Sequence, residues 1–543
     1  MRSPADRATA SHQDRGARPA TARSSVWLVL AVILLFALVI RAYGTNYGLP
    51  YVYHPDEPAI VERALQIERS SDLNPHWFNY PTLYIYAQTL LIVILRPIVR
   101  AWAGWRGITL DLLAWQGIIY QAGRLLTALI GTATVAVVYG IGRRLFNRRV
   151  GLWAAFILAT TALHIEHSHY ITTDVPAAFF VALCLYFAAR ALEDHPLRYL
   201  MLSALMAGFA AGAKYNAGLV LVTTGVAFLA TRRSWKELVD PALILVPLAA
   251  LGGFLLSTPY ALLDYDTFNK GVQAEIEHYR TGHQGAEGSD NWRWFALYLY
   301  GEGMGHVLAA VTAASVLFAL IRRTRRDLLL LLFPLLYYWL ISAQRVRFAR
   351  NMMPLLPFLA VLAARLVYAV LRDMAAHIPW AHLRRPLPAL MRGAAVLAVA
   401  VLLVSGPVRQ QIRYDILLTQ PDTRTIAKMW IEENIPTGAR IAFEEYTPPL
   451  QFSWMPGTTT KRYRADKYWR LSERPLDYYR QKPYDYVVVS SFMYGRYFVD
   501  RVSYPQDRRF YETLFTQWTL VKEFTGPSAP MHNPVVRIYK VPR

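Results

Sequence analysis

The chain of 543 residues contains a single cysteine, Cys184, so no internal disulfide can form. Acid is scarce: 37 Asp and Glu face 58 Lys and Arg, a formal charge of +21. There is no G-x-x-x-x-G-K-[ST] loop, which excludes an ATP motor of that type. No zinc spacing, internal repeat or long low-complexity stretch occurs in the body of the chain. The excess of positive charge alone would suit a nucleic-acid partner, but its placement argues otherwise.

Carbon-rich sequence is abundant. Hydrophobic residues make up 54% of the chain, and apolar runs near membrane length recur from Val26 to Gly406. A run of about 20 apolar residues spans a bilayer as a helix, and snorkelling ends extend shorter ones. Spans are expected at about 25–43, 121–141, 150–167, 175–192, 198–213, 216–231, 241–259, 303–321, 327–342, 351–371 and 393–406. The first has no small-residue cleavage site before Asn46 and reads as an uncleaved span. Residues 1–24, rich in Arg, Ala, Ser and Asp, read as a disordered basic tail.

With that tail in the cytoplasm, "GRRLFNRR", "RRSWK", "RRTRR" and the stretch from Arg372 to Arg392 all fall on the inner side, as the positive-inside bias requires. Membrane topology therefore explains the charge, and no nucleic acid is expected as a partner. The segment Tyr80–Leu95 is apolar enough to cross, yet one more crossing would invert "GRRLFNRR". A surface helix anchored by Trp102, Trp105 and Trp115 is favoured over a second crossing near 102–118. The count is therefore about 11–13 spans, and everything after Gly406 lies outside.

The last part of the chain changes character. "DTRTIAKMWIEENIPTGARIAFEEY" reads as helix, turn and strand; "YDYVVVSS" and "PVVRIYKV" read as strands, and "FYETLFTQW" as a helix. The expected fold is mainly α: a polytopic transmembrane bundle at 25–406 with an outer loop at 44–120, then a small extracytoplasmic α/β domain at 407–543.

This topology gathers scattered polar residues on the outer side. Asp56 and Glu57 lie in "YVYHPDEPAIVERALQIERSSDLNPHWFNYPTLYIY", after the first span. Arg124 opens the second, "HIEHSHYITTDVP" ends in Asp174, and Lys214 ends the fifth. His278 and Arg280 lie in the large outer loop, and "QRVRFAR" carries Arg345, Arg347 and Arg350. Ionisable groups at membrane depth are costly and tend to be functional. Each also has an ordinary reading. The acid pair after Pro55 could simply open a helix, its two side chains pointing apart. Asp174 could be an N-cap, and Arg124 and Lys214 snorkelling anchors. His164 and His167 are helical neighbours, but His169 is off their face, so the trio reads better as interfacial histidines than as a metal site. Three outer-side arginines run against the charge bias, and guanidinium groups match phosphate oxygens. A phosphate-bearing lipid is the expected ligand.

At these residues the chain resembles the GT-C membrane glycosyltransferases, in the family 39-like group of dolichyl-phosphate-mannose protein mannosyltransferases and bacterial aminoarabinose transferases. The resemblance is carried by "HPDE", "FNYPTLYIY", "AGRLLTALIGTATVAVVYGIGRRLF", "HSHYITTDVPAAFF", "AGAKYNAGL" and "RFARNMMPLLP", in order across about 25–405. It implies a polyprenyl-phosphate-linked sugar as donor, an inverting displacement by an acceptor hydroxyl, and Asp56 as the base. Glu57 would hold the acceptor or the geometry, and Asp174 is the second-loop acid. Donor phosphate would fall to Arg124, Lys214, Arg345, Arg347 and Arg350, with His169, Tyr80, His278 and Arg280 as further substrate contacts. The acceptor would be a lipid, glycan or protein.

The chain also departs from that pattern. Aminoarabinose transferases carry an acid and a lysine where this chain has Asn79 and Tyr80. The acid belongs to a metal site with a lysine and a histidine, aligned here with Lys214 and His278. No cofactor is therefore firmly implied, and a divalent metal stays open. A flippase for an anionic lipid is the alternative activity, and a binding or assembly protein a third. Charges gathered at one face rather than through midmembrane favour the enzyme.

Overall fold

The computed structural model describes residues 20–232, 234, 237, 240–377, 387–499, 503–529 and 531–543. Most of the expected N-terminal tail, most of "RRSWK" and part of the Arg372–Arg392 cluster lie outside the described residues. Helix α1 (Ala20–Ala42) leads into a loop that carries α2 (Glu57–Ser70) and α3 (Leu83–Arg106). The bundle continues through α4 (Leu112–Leu145), α5 (Arg148–Thr160), α6 (Ala162–His167), α7 (Asp174–Ala191), α8 (Pro196–Ala213), α9 (Leu221–Thr231) and α10 (Ala242–Ser257). A second large loop holds α11 (Tyr260–Leu263), α12 (Tyr265–Thr281) and α13 (Asn291–Tyr298). Then follow α14 (His306–Arg322), α15 (Arg325–Ser342), α16 (Leu356–His377) and α17 (Leu387–Leu418).

Among the described residues seven helices are long and apolar enough to cross a membrane, with three shorter apolar helices beside them. This is an integral membrane protein. The tight reversals are locally encoded. Asn147 accepts from the amides of Arg149 and Val150 between α4 and α5, and Thr324 forms a capping box with Asp327 at the start of α15. Helices approach where glycine removes the side chain: a Cβ on Gly208 of α8 would sit 2.1 Å from the Ala250 carbonyl oxygen of α10. Helices α7 and α16 run through the middle, with 67% of each apolar window buried against 22% for α3.

The span expected at 150–167 is broken at Thr161 into α5 and α6, and three further helices differ in extent from the expected spans. Helix α3 is long enough to cross, but its first turns are buried against α2 through Tyr84, Ile85 and Ile92. Helix α4 has 34 residues, about 51 Å at ~1.5 Å per residue, against a hydrocarbon core of about 30 Å. The span expected at 121–141 is therefore only its middle. Helix α17 does not stop at Gly406 but runs through Pro407 to Leu418, so the boundary expected at 406/407 falls inside a helix.

Beyond it lie α18 (Thr423–Asn434), β1 (Arg440–Glu444), β2 (Arg464–Tyr468), α19 (Leu476–Gln481), β3 (Tyr486–Ser490), α20 (Ser491–Val499), α21 (Pro505–Gln517), β4 (Thr519–Phe524) and β5 (Val536–Lys540). The sheet order is β2-β1-β3-β5-β4. Strands β2, β1 and β3 are parallel, whereas β5 and β4 run antiparallel. The α/β unit docks on the first loop. Arg424, held bidentately by Asp422, lies 4.0 Å from the Tyr53 ring centroid, and the Tyr53 hydroxyl meets Thr425 Oγ1 at 2.6 Å.

Candidate active site

Pro55 and the start of α2 set two adjacent carboxylates on divergent courses. Glu57 turns inward and is fully buried. Its two oxygens accept from Arg124 Nε at 2.8 Å and Nη2 at 2.7 Å, and Oε1 also accepts from the Ile171 amide at 3.0 Å. Arg124 Nη1 donates to the carbonyls of Thr45 and Tyr47, both at 2.8 Å. This buried cluster joins the end of α1, the first loop, α4 and the second loop.

Asp56, the N-cap of α2, faces the other way. Its Oδ2 accepts from Arg350 Nη1 at 2.6 Å. Arg350 Nε lies 4.0 Å from Asp174 Oδ2, and Asp174 Oδ1 accepts from Lys214 Nζ at 2.7 Å. Lys214 also donates to Asn351 Oδ1 at 2.8 Å, which takes a further bond from the Tyr279 hydroxyl at 3.0 Å. Two anions and two cations thus alternate along one line, drawn from α2, α7, α8 and the turn before α16.

These groups line a cavity of about 1190 Å³, above the usual 300–1,000 Å³ of ligand pockets. Its neutralised quartet leaves Arg347 as an added cation. Arg347 Nε donates to Asn291 Oδ1 at 2.6 Å, and among the described residues no ion pair is formed by its guanidinium. Burial pushes the Asp56 carboxyl up, but Arg350 and then His54 outweigh it and hold the group below its ordinary value. On α12, burial raises Glu275, and burial and then Arg350 lower His278.

Tyr80 and His278 line the same cavity. Other expected contacts do not reach it. Arg124 is spent beneath the wall on Glu57 and backbone carbonyls, so the expected phosphate contact is corrected to an internal brace. His169 is buried with its ring nitrogens on the carbonyls of Ile165, at 3.0 Å, and Tyr43, at 2.9 Å. Arg345 and Arg280 are exposed and do not line the cavity, although Arg347 and Tyr279 nearby in the chain do. Asn351, Tyr279, Glu275 and His54 were not singled out by sequence. Asn351 directly follows Arg350 in "RFARNMM", which was the available signal.

Residues 81–259 match the family model described as dolichyl-phosphate-mannose-protein mannosyltransferase, a stretch that holds Arg124, Asp174 and Lys214. ArnT from Cupriavidus metallidurans, solved bound to undecaprenyl phosphate, is similar in fold, with a TM-score of 0.51 at 17% identity over 95% of this chain and 98% of that one. The chain has the GT-C fold. The GT-C fold is shared too by AglB from Archaeoglobus fulgidus, solved with an inhibitory peptide and a dolichol-phosphate, with a TM-score of 0.51 at 13% identity over 88% of this chain and 71% of that one. No curated protein matches the chain by sequence.

The resemblance read from the sequence left a divalent metal open. Here Lys214 is committed to Asp174 and Asn351, and His278 lies against Phe348, with centroids 6.2 Å apart, and His283, 5.3 Å apart. Among the described residues no three His, Cys, Asp or Glu side chains converge. The residues present do not fit a divalent ion, and no chemical step is derived through one.

Proposed function

We propose that the protein moves a sugar from a polyprenyl-phosphate-linked donor to a hydroxyl acceptor at the outer face of the membrane. The observation that carries this reading is Arg350 set between Asp56 and Asp174 in one cavity. The undecaprenyl phosphate of the ArnT structure and the dolichol-phosphate of the AglB structure support the donor class.

The acceptor oxygen attacks the anomeric carbon, and its proton passes to the Asp56 carboxylate. The bond from that carbon to the phosphate oxygen breaks, polyprenyl phosphate leaves as the anion, and configuration inverts. General-base assistance of this kind contributes about 10²–10⁴ in rate. Arg350, Arg347 and Lys214 meet the phosphate, where leaving-group charge develops. Arg350 has donors for both tasks, so an arriving phosphate draws it from Asp56 and makes that carboxylate more basic at the moment of use. Asp174 keeps Lys214 and Arg350 in place, while Glu57 and Arg124 brace the loop.

The orientation follows from charge. The cavity opens where α1 ends and α7 begins, and Arg143, Arg144, Arg148 and Arg149 sit at the far end of α4 and the start of α5. Positive-inside bias puts that far end in the cytoplasm, the N-terminus with it, and the α/β unit outside. The alternative of a flippase makes a different prediction. Purified protein given a polyprenyl-phosphate sugar and envelope lipids or glycans forms a new glycosidic bond, and Asp56→Asn nearly abolishes it. Lipid movement in vesicles with no glycosidic bond formed would reverse the conclusion.

A further inference from the structure

We propose that the carboxyl edge of the parallel strands β2, β1 and β3 is a saccharide subsite that holds the acceptor. The proposal rests on the glycosyltransferase reading of the cavity. In open α/β sheets ligands settle in the crevice beyond the carboxyl ends of parallel strands. Here that crevice is not a free surface, because it opens into the cavity that holds Asp56. Tyr446 follows β1, Trp469 follows β2, Phe492 follows β3, and Arg496 stands one turn further along α20; all four line the cavity.

The arrangement is fixed from behind. Glu444, buried at the end of β1, accepts from the Ser490 amide at 2.9 Å, the Leu471 amide at 3.1 Å and the Tyr511 hydroxyl at 2.6 Å. One carboxylate therefore pins the ends of β1 and β3 and the chain leaving β2. In front of it Tyr446 stands between the other rings, with centroids 6.4 Å from Trp469 and 6.0 Å from Phe492. Arg496 donates from Nη2 to the Tyr446 hydroxyl at 2.9 Å and from Nε to the Phe492 carbonyl at 2.8 Å.

The chemistry suits a pyranose. Behind the wall Tyr479, Tyr497 and Tyr511 are fully buried, whereas Trp469 is 42% exposed and lines the cavity. An open aromatic face beside a fixed guanidinium matches a ring that presents C–H groups on one face and hydroxyls at its rim. Elsewhere the wall is carbon, from Phe268, Val272 and Leu340, and takes a polyprenyl chain. The two substrates are thus sorted by wall chemistry.

The test uses the full chain in lipid nanodiscs, free of glycoside detergent. Saturation-transfer NMR with a panel of methyl hexopyranosides and methyl N-acetylhexosaminides reads the subsite, and binding of undecaprenyl phosphate reads the donor region. Saturation of axial ring protons is expected, falling about tenfold in Trp469→Ala and in Arg496→Gln, while both variants keep undecaprenyl phosphate binding and so report an intact fold. No transfer to any glycoside, unchanged transfer in Trp469→Ala, or Trp469-dependent transfer to short peptides instead would overturn the subsite. Loss of undecaprenyl phosphate binding in the unaltered chain, with glycosides still bound, would overturn the donor reading instead.

Discussion

Arg350 Nη1 and Asp56 Oδ2 meet at 2.6 Å although 294 positions separate them in sequence. The contact fixes the ionised form of the carboxylate in the resting cavity. Burial alone would raise the group, and Arg350 is the first of the partners that lower it. The free protein should keep this proposed base ionised to well below neutral pH.

Arg350→Gln removes the largest of the partners that oppose burial and leaves only the smaller pull of His54 and Lys214. The Asp56 carboxyl then rises, so kcat/KM begins to fall at a higher pH as the solution is acidified. The acid limb, which reports the free enzyme, should move up by about one pH unit or more. An unmoved limb in a folded variant would detach Arg350 from the base.

The Glu57–Arg124 pair predicts a stability effect. Either Glu57→Leu or Arg124→Met leaves its partner charged in a fully buried place, at a cost of about 3–5 kcal/mol. The double variant should recover much of that loss, because a buried pair replaced by carbon is often neutral. Unfolding midpoints of the four proteins measure it, and strict additivity of the two losses would contradict the brace.

Asn351 holds Lys214 and Tyr279 on one oxygen. Asn351→Leu takes that oxygen from Tyr279 and leaves Lys214 on Asp174 alone, and a shifted Lys214 should lower turnover by about 10²-fold. Donor affinity and rate separate the cases: a purely structural role would lower the melting temperature while leaving the KM for donor unchanged.

Arg424 is the docking residue of the α/β unit. Arg424→Met leaves Asp422 only its backbone amide partners and His532, and loosens Tyr53, close in the chain to Asp56. Limited proteolysis after residue 418 should accelerate, and transfer should fall further than undecaprenyl phosphate binding. Equal protection in both proteins would show that the unit is held elsewhere.

Much of this was legible because a bilayer imposes length on helices. The apolar runs and basic clusters outline the bundle without any contact information. Asp56, Asp174, Lys214 and Arg350 were legible as charges at membrane depth. Charge alone does not reveal facing, however: Arg124 and Arg350 look alike in sequence, and only the rotation of α4 turns Arg124 under the wall. Neutral groups such as Asn351 and Tyr279 carry no such flag. Strand β2, "RADKY", lacks apolar alternation and is held by main-chain pairing to β1, so its pattern was silent. The wall supplied by Tyr446, Trp469 and Phe492 depends on sheet register and docking, which no local pattern encodes.

Helix α17 has one more consequence. It passes into α18 across residues 419–422 alone, while Arg470 grips Gln284 at 2.7 Å and Tyr504 bonds Glu287 of the loop below. A roof tied by so short a tether and two straps has no slack to lift. The height of the cavity under that roof is therefore fixed by the chain itself.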